Sequence, residues 1–326
     1  MNRHLLTPPA SLPQSVTAAL MCMIALLWVR GDTFGTGANS FTMDFVTIGN
    51  PGNEPRGGEG GVDYVFRMGT YEVSREMVVK ADVAGDLGFA LSYGASAKPA
   101  LLTWNEAARF VNWLNTSSGY SPAYKFDANP GDPGYSTQAQ ISAWDVGDAG
   151  YNAANPYRNS EAHYVLPALN EWIKAGFYDP ATGRYFRYPT GSDETPTSVT
   201  GGTAPGTAVF NPELDFTIPG PADISNAGGL SPYGTMAQGG NEWEFLETVI
   251  PGDEWDPDGR REIRGGAWRG YSGLGGYLAN GSSPVFDPSE ELAGFRVVAI
   301  PEPTAWPLAA LAPVGLWLWR RRCRWA

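Results

Sequence analysis

The middle of this chain lacks the side chains that most often carry nucleophilic, redox and metal chemistry. Residues 39–300 contain no cysteine and one histidine, His163, while Cys22 and Cys323 lie in or beside the two apolar ends. Thiolate nucleophiles and soft-metal sites are therefore excluded from this region. His163 is the only available base for a serine-hydrolase triad, and no nucleophile-elbow sequence accompanies it. We interpret it as a packed or hydrogen-bonded side chain.

Carboxylates and aromatic rings are the functional groups that remain. Residues 39–300 hold 32 Asp and Glu, but the sequence singles out no pair of the glycosidase type. The acidic segment 253–259 is typical of a solvated turn, with calcium binding as the alternative. Rings near loops could stack on a sugar, whereas Trp268 is predicted to lie in the core. The candidate ligand-binding residues are Trp255, Tyr271 and Tyr277.

Three helices are predicted to position these groups. Thr103 and Glu106 are spaced as a capping box at the start of a helix that extends to Asn115. The apolar residues of that helix fall on one stripe, which predicts a buried face. Ser74 caps a shorter helix that reaches about residue 83, and a third helix is predicted over residues 168–177.

The predicted strands are short and the predicted loops are long. Residues 62–68 and 295–300 are the clearest strands. Residues 129–159 and 189–232 are rich in Gly, Pro, Asp and Ser, which is typical of large ordered loops. Few helices, small strands and large loops together predict an α+β fold.

Charge separates the middle of the chain from its ends. Residues 39–300 carry 16 Lys and Arg against 32 Asp and Glu, a net charge of −16. Such a surface repels nucleic acid and anionic membranes. Nucleic acid is therefore not an expected partner.

The N-terminal end has the composition of an export signal. Residues 16–29 form an apolar run that follows Arg3 and His4. This run is short for a membrane span and suits the apolar region of a secretory signal, with a buried helix as the alternative. We predict a signal peptide over residues 1–38, with cleavage among the small residues 35–40.

The C-terminal end, residues 301–326, combines three elements in a demanding order. Pro301-Glu302-Pro303 precedes an apolar stretch, and a cluster of arginines follows it and would stay cytoplasmic. This order resembles the PEP-CTERM sorting signal of Gram-negative bacteria. The resemblance implies transient anchoring in the inner membrane, removal of the tail by an exosortase, and delivery to the cell surface or beyond. A plain tail anchor is the alternative.

Five segments of the middle region share short motifs of glycine, tryptophan and charged residues. They lie at 64–74, 103–114, 164–175, 233–245 and 263–269, the last closed by Gly294-Phe295-Arg296. In this order they resemble the sulfatase-modifying factor domain, the fold of the formylglycine-generating enzyme, which is related to the C-type lectin fold. The resemblance covers nearly all of a predicted domain over residues 39–300.

These motifs also predict local structure. Residues 239–241 permit positive φ angles, and residues 265–266 suggest a backbone that passes close to the indole of Trp268. Three arginines, Arg67, Arg264 and Arg296, are predicted to pair with buried carboxylates such as Glu72 or Glu244.

The resemblance implies an oxidase site that this chain lacks. Formylglycine-generating enzymes bind copper through two cysteines, and the matching positions here are Gly270 and Gly275. Ala267 replaces the serine of the Gly-Gly-Ser motif. A second enzyme branch of the superfamily holds iron through several histidines, which this chain also lacks. Neither copper nor iron is expected, and no residue is predicted to be catalytic.

Calcium is the cofactor that the resemblance still implies. Members of the family bind Ca²⁺ around the Gly-Asn-x-Trp-Glu turn, where Glu244 matches the carboxylate ligand and Gly240 and Glu242 match the carbonyl ligands. Ala237 removes one usual ligand, and Asp223 aligns loosely with part of a second site.

The sequence thus predicts an exported, non-catalytic binding module of the envelope or an exopolysaccharide matrix. Carbohydrate or another matrix polymer is the expected partner, besides the exosortase machinery. Two alternatives stay open: an enzyme that reuses the old cleft through acidic residues, and a purely structural surface protein.

Overall fold

This computed structural model describes residues 29–91, 95–211, 218–250, 260–269, 285–286 and 292–301. Most of the predicted signal peptide, the sorting tail, Gly270, Gly275 and the ligand candidates Trp255, Tyr271 and Tyr277 lie outside these ranges. Within them, no helix is both long and apolar enough to cross a membrane.

Twelve short strands and three α-helices make up the regular structure of the described residues. The strands are β1 (Val29–Phe34), β2 (Phe41–Ile48), β3 (Phe66–Gly69), β4 (Tyr164–Val165), β5 (Tyr178–Asp179), β6 (Arg184–Tyr185), β7 (Thr197–Ser198), β8 (Thr207–Ala208), β9 (Glu244–Ile250), β10 (Arg260–Arg264), β11 (Val285–Phe286) and β12 (Val298–Ala299). The helices are α1 (Arg75–Gly85), α2 (Trp104–Ser117) and α3 (Leu169–Phe177).

The strands form two main antiparallel sheets. The larger has the order β1-β2-β3-β12-β4, and the smaller has the order β11-β10-β9 with a bulge between Arg261 and Ile263. Few helices beside curled antiparallel sheets confirm the predicted α+β class. The strands observed within segments 62–68 and 295–300 are shorter than predicted, because the outer residues of each segment are not paired in the sheet and form loops.

The helix starts follow the sequence signals. Thr103 Oγ1 accepts a hydrogen bond from the Glu106 amide at 3.2 Å, and the Glu106 side chain accepts one from the Thr103 amide at 3.0 Å. Ser74 caps α1 in a similar way by accepting from the Met77 amide. The apolar side of α2 then packs against the larger sheet in one buried cluster that includes Phe45 and Phe110. Local sequence therefore sets the position of this central helix.

Strand β1 lies N-terminal to the predicted domain boundary at residue 39. It pairs with β2 along its whole length, and its Phe34 is buried in the main core. Its Asp32 accepts two hydrogen bonds from Arg67, at 3.0 and 2.7 Å, and one from the Tyr164 hydroxyl at 2.9 Å. Cleavage among residues 35–40 would remove this strand from the sheet; the predicted cleavage region stays a prediction.

The long loop 129–159 is anchored by a buried charge cluster. Arg158 donates to both oxygens of Glu171, at 3.1 and 3.0 Å, and to Glu247 at 2.7 Å. Tyr64 and Tyr124 complete the cluster by donating to Glu171 and Glu247 respectively. One arginine from the loop thus pairs with carboxylates of both α3 and β9, and the largely surface-exposed loop is attached to the folded domain through it.

Candidate functional site

The candidate site is built on a glycine turn. Gly240 has a φ of +101° and Asn241 a φ of +64°, as the sequence predicted. A Cβ atom on Gly240 would lie 2.4 Å from the carbonyl oxygen of Val209, so only glycine fits there. The Gly240 amide donates to the Gly265 carbonyl at 2.8 Å, and the Trp268 amide donates to the Asn241 carbonyl at 2.7 Å. These bonds hold residues 240–242 against residues 265–268.

A buried carboxyl group fixes the turn from behind. Glu72 accepts a hydrogen bond from the Asn241 side chain at 2.5 Å and one from the Glu242 amide at 3.1 Å. The Asn241 side chain also accepts from the Ala222 amide at 2.7 Å. Burial and the neighbouring charge of Glu244 raise the pKa of Glu72 well above its ordinary value. Glu72 therefore positions the backbone and is not itself open to a ligand.

A second buried group lies behind this turn. The Arg296 guanidinium pairs with both oxygens of Glu244, and both side chains are completely buried. Trp172 Nε1 donates to Glu244 Oε2 at 2.7 Å, and Arg296 also donates to the Gly69 and Met236 carbonyls. The ion pair therefore joins the smaller sheet to the chain around β3.

Arg296 and Arg264 pair with buried carboxylates as predicted, whereas the carboxylate that pairs with Arg67 is half-buried. Arg296 pairs with Glu244 as expected. Arg67 pairs with Asp32, and Arg264 lies beside Glu262 and Glu59.

The sequence suggested that the Trp268 indole approaches the glycine pair at residues 265–266. The indole close to Gly265 is instead that of Trp172, 3.5 Å from the point where a Cβ atom on this glycine would lie.

In front of the turn lies a cavity of about 200 Å³. Its lining comes from the start of α1, from residues 98–101 and from the turn residues. The lining residues are Arg75, Leu91, Lys98, Pro99, Ala100, Leu101, Pro221, Glu242, Trp268 and Arg269. We call this space the front cavity.

Glu242 and Trp268 face each other in the front cavity. Trp268 Nε1 donates to Glu242 Oε1 at 2.8 Å, and the Glu242 side chain is buried whereas the indole is half-buried. Burial raises the pKa of Glu242 to about 7, against the lowering effects of the Trp268 hydrogen bond and the Arg269 charge. Trp268 was predicted to be core; it instead packs on the core with one side and borders the cavity with the other.

Replacing Glu242 with glutamine is expected to flatten the pH dependence of stability. Because the folded-state pKa is raised from 4.5 to about 7, the folded protein holds a proton that the unfolded chain has lost between these values. The free energy of unfolding of the wild type therefore falls as the pH rises through this window, and the variant lacks this contribution. Urea unfolding across the window measures the effect. The exposed Glu194→Gln is the matched control, and equal pH slopes in wild type and E242Q would contradict the prediction.

Two of the predicted calcium ligands, Glu244 and Asp223, have other partners for their side chains. Both Glu244 oxygens are engaged by Arg296 and Trp172, and Asp223 pairs with Lys98 at 3.1 Å. Within the described ranges, no group of three or more His, Cys, Asp or Glu side chains converges as a metal site. Calcium binding by Gly240, Glu242, Glu244 and Asp223 stays a prediction.

A larger cavity, of about 350 Å³, lies beside α2 and has one charged residue in its lining. Its arginine, Arg109, is stacked on the rings of Phe126 and Tyr135 and donates to the carbonyls of Ala128 and Ser136. Those contacts hold the loop after α2 in place. The front cavity combines a carboxyl group, an indole and cationic side chains, and is therefore the stronger functional candidate.

The fold and the site together define a mixed α+β domain that builds a polar cavity from loops. No protein-family model and no curated protein matches the chain. Among solved structures it is similar to CarF, with a TM-score of 0.51, 19% identity, and coverage of 83% of this chain and 96% of that chain. It is also similar to variable protein 1 of Treponema denticola, with a TM-score of 0.51, 18% identity, and coverage of 83% and 99%. At these identities the similarity concerns the fold alone.

Proposed function

We propose that this chain is an exported, non-catalytic binding module with a sulfatase-modifying factor domain of the C-type lectin-like type. It acts at the cell surface or in an exopolysaccharide matrix and holds a carbohydrate ligand in the front cavity. The observation that carries the proposal is the rigidly held pair of Glu242 and Trp268, which offers a carboxyl group and an indole to one ligand.

The motif order and the loss of the oxidase residues support this proposal. Backbone hydrogen bonds hold the glycine turn against the Arg-Gly-Gly-Ala-Trp segment. Gly270 and Gly275, in contrast, occupy the positions that match the copper ligands of formylglycine-generating enzymes. Export with an exosortase partner rests on the PEP-CTERM-like tail, and the two solved structures support the mixed α+β class of the fold.

An enzyme that reuses this cleft is the second candidate. Glu242, with a pKa of about 7, is suited to general acid catalysis. A glycosidase needs a second carboxylate across the substrate, and Glu242 is the one carboxylate among the described residues that line the front cavity. Binding is therefore favoured over hydrolysis.

A glycan array tests the proposal. The purified protein is applied with calcium and again with EDTA, beside Trp268→Ala and the control Trp144→Ala, a tryptophan outside the cavity. Binding that W268A loses and W144A keeps supports the proposal, and sensitivity to EDTA would add the calcium prediction. Binding that is equal in all three proteins, or absent from all, contradicts it.

A further inference from the structure

The front cavity gathers positive charge in a strongly acidic protein. The whole chain has a net charge of −12, yet the cavity lining contains Arg75, Lys98 and Arg269 against one carboxyl group, that of Glu242. Screening limits the field of distant surface charges to about 8 Å at physiological salt. The nearest charges to a ligand inside the cavity are therefore these three cations, Glu242, and Asp223 beside Lys98.

The three cations are available to a ligand. Neither Arg75 nor Arg269 makes an ion pair with another residue that the structure describes. Lys98 pairs with Asp223, but about a third of the Lys98 side chain and half of the Asp223 side chain are exposed. Exposed pairs of this kind contribute little to stability, so a ligand anion can replace Asp223 with a small loss.

The backbone holds the cations near one another. The Arg75 amide donates to the Lys98 carbonyl at 2.9 Å, so the start of α1 and the segment 98–101 form one edge of the cavity. On the opposite chain segment, the Arg269 guanidinium lies 5.6 Å from the centre of the Trp268 ring. Arg269 therefore borders the indole, and Arg75 and Lys98 line the same cavity.

The size of the cavity limits the occupant. Pockets for drug-sized ligands span about 300–1,000 Å³, whereas this cavity measures about 200 Å³. It therefore suits one ring of a longer chain. A sugar ring supplies apolar C–H groups for the Trp268 indole and a hydroxyl group that can hydrogen-bond with Glu242.

We propose that the front cavity binds a uronic acid residue of an acidic polysaccharide, whose carboxylate is held by Arg75, Lys98 and Arg269. The inference rests on the proposed function and specifies its ligand class. Arginine binds carboxylates with paired N–H donors, which distinguishes a planar carboxylate from other anions by geometry as well as charge. The raised pKa of Glu242 adds support, because a protonated Glu242 does not repel the ligand.

Equilibrium binding of the full chain to soluble polygalacturonate tests the proposal, with dextran as the neutral probe and dextran sulfate as a second anion. We expect micromolar or tighter binding of polygalacturonate, weakened at least about 10-fold by Arg75→Gln or Arg269→Gln, since a charge-assisted hydrogen bond contributes about 1.5–3 kcal/mol. The exposed Arg184→Gln, outside the cavity, should bind like the wild type.

Weaker binding by a variant could result from misfolding, whereas tighter binding could not, so a variant with higher affinity is also tested. Asp223→Asn removes the competing partner of Lys98 and is expected to strengthen polygalacturonate binding about 2- to 5-fold. Weaker binding by D223N would overturn the proposal and would instead agree with Asp223 as a calcium ligand.

The outcomes separate this inference from the proposed function. Equal binding of dextran and polygalacturonate, both lost in W268A, would overturn the uronic acid assignment and leave the carbohydrate-binding function in place. Dextran sulfate that binds as tightly as polygalacturonate would also overturn the carboxylate assignment. If R184Q weakens binding as much as R75Q does, the front cavity is not the binding site. No binding to any glycan would contradict both.

Discussion

Arg296→Met is expected to lower the free energy of unfolding by about 3–5 kcal/mol, because it leaves Glu244 as an uncompensated charge in the core. Both side chains are completely buried, and Arg296 also donates to the carbonyls of Gly69 and Met236, which the variant leaves without these donors. The loss therefore combines an unpaired carboxylate with unsatisfied backbone acceptors.

Chemical denaturation of R296M beside the exposed Arg187→Met measures this effect. The double variant R296M/E244Q removes the stranded charge and should recover part of the lost stability, since the two residues are in direct contact. A loss below about 1 kcal/mol in R296M would contradict the prediction, as that is the range of exposed ion pairs.

Arg158→Met is expected to be similarly severe, with a loss of about 3–5 kcal/mol. This arginine is the shared partner of Glu171 and Glu247, which are buried on α3 and β9. Without it, two carboxylates remain close together in the interior. Loop 129–159 would also lose one of its attachments and become a better protease substrate.

The pH dependence gives this prediction a distinct readout. Burial alone would raise the pKa of Glu171, but the charge and hydrogen bonds of Arg158 hold it below its usual value of 4.5. A lowered acid pKa contributes stability above the unfolded-state value, and that contribution is lost as the pH falls through the folded-state value. Wild type should therefore lose stability below about pH 4.5, and R158M should lose less there. The control is Arg184→Met, whose partner Asp193 is more than half exposed; the same acid slope in R158M and wild type would contradict the assignment.

The helices were predictable because their signals are local. The capping box of Thr103 and Glu106 and the cap at Ser74 place α2 and α1 within two residues of the observed ends. The positive φ angles of Gly240 and Asn241 were likewise visible in the residue types. Such features depend on a few neighbouring residues and need no knowledge of the tertiary structure.

The parts that the sequence did not reveal depend on distant contacts. The residues of strand β1 are assigned to the export signal from the sequence. Their place in the sheet depends on pairing with β2 and on the Asp32–Arg67 ion pair, which a reading of local sequence does not reveal. Arg75 and Lys98 were not recognised as site residues, because a backbone hydrogen bond between their segments brings them to the same cavity. Glu242 was considered only for its carbonyl group, and nothing in the sequence indicated that its carboxyl group meets the Trp268 indole.

The position of β12 sets a condition on when this protein can fold. Residues 298–299 lie between β3 and β4 in the larger sheet, and β3 and β4 are joined through them. The sheet therefore stays incomplete until almost the last part of the domain has left the ribosome, and its closing contacts span most of the chain. High contact order of this kind slows folding. A nascent chain that stays unfolded for longer remains suitable for passage through a translocation channel, which is compatible with the proposed export.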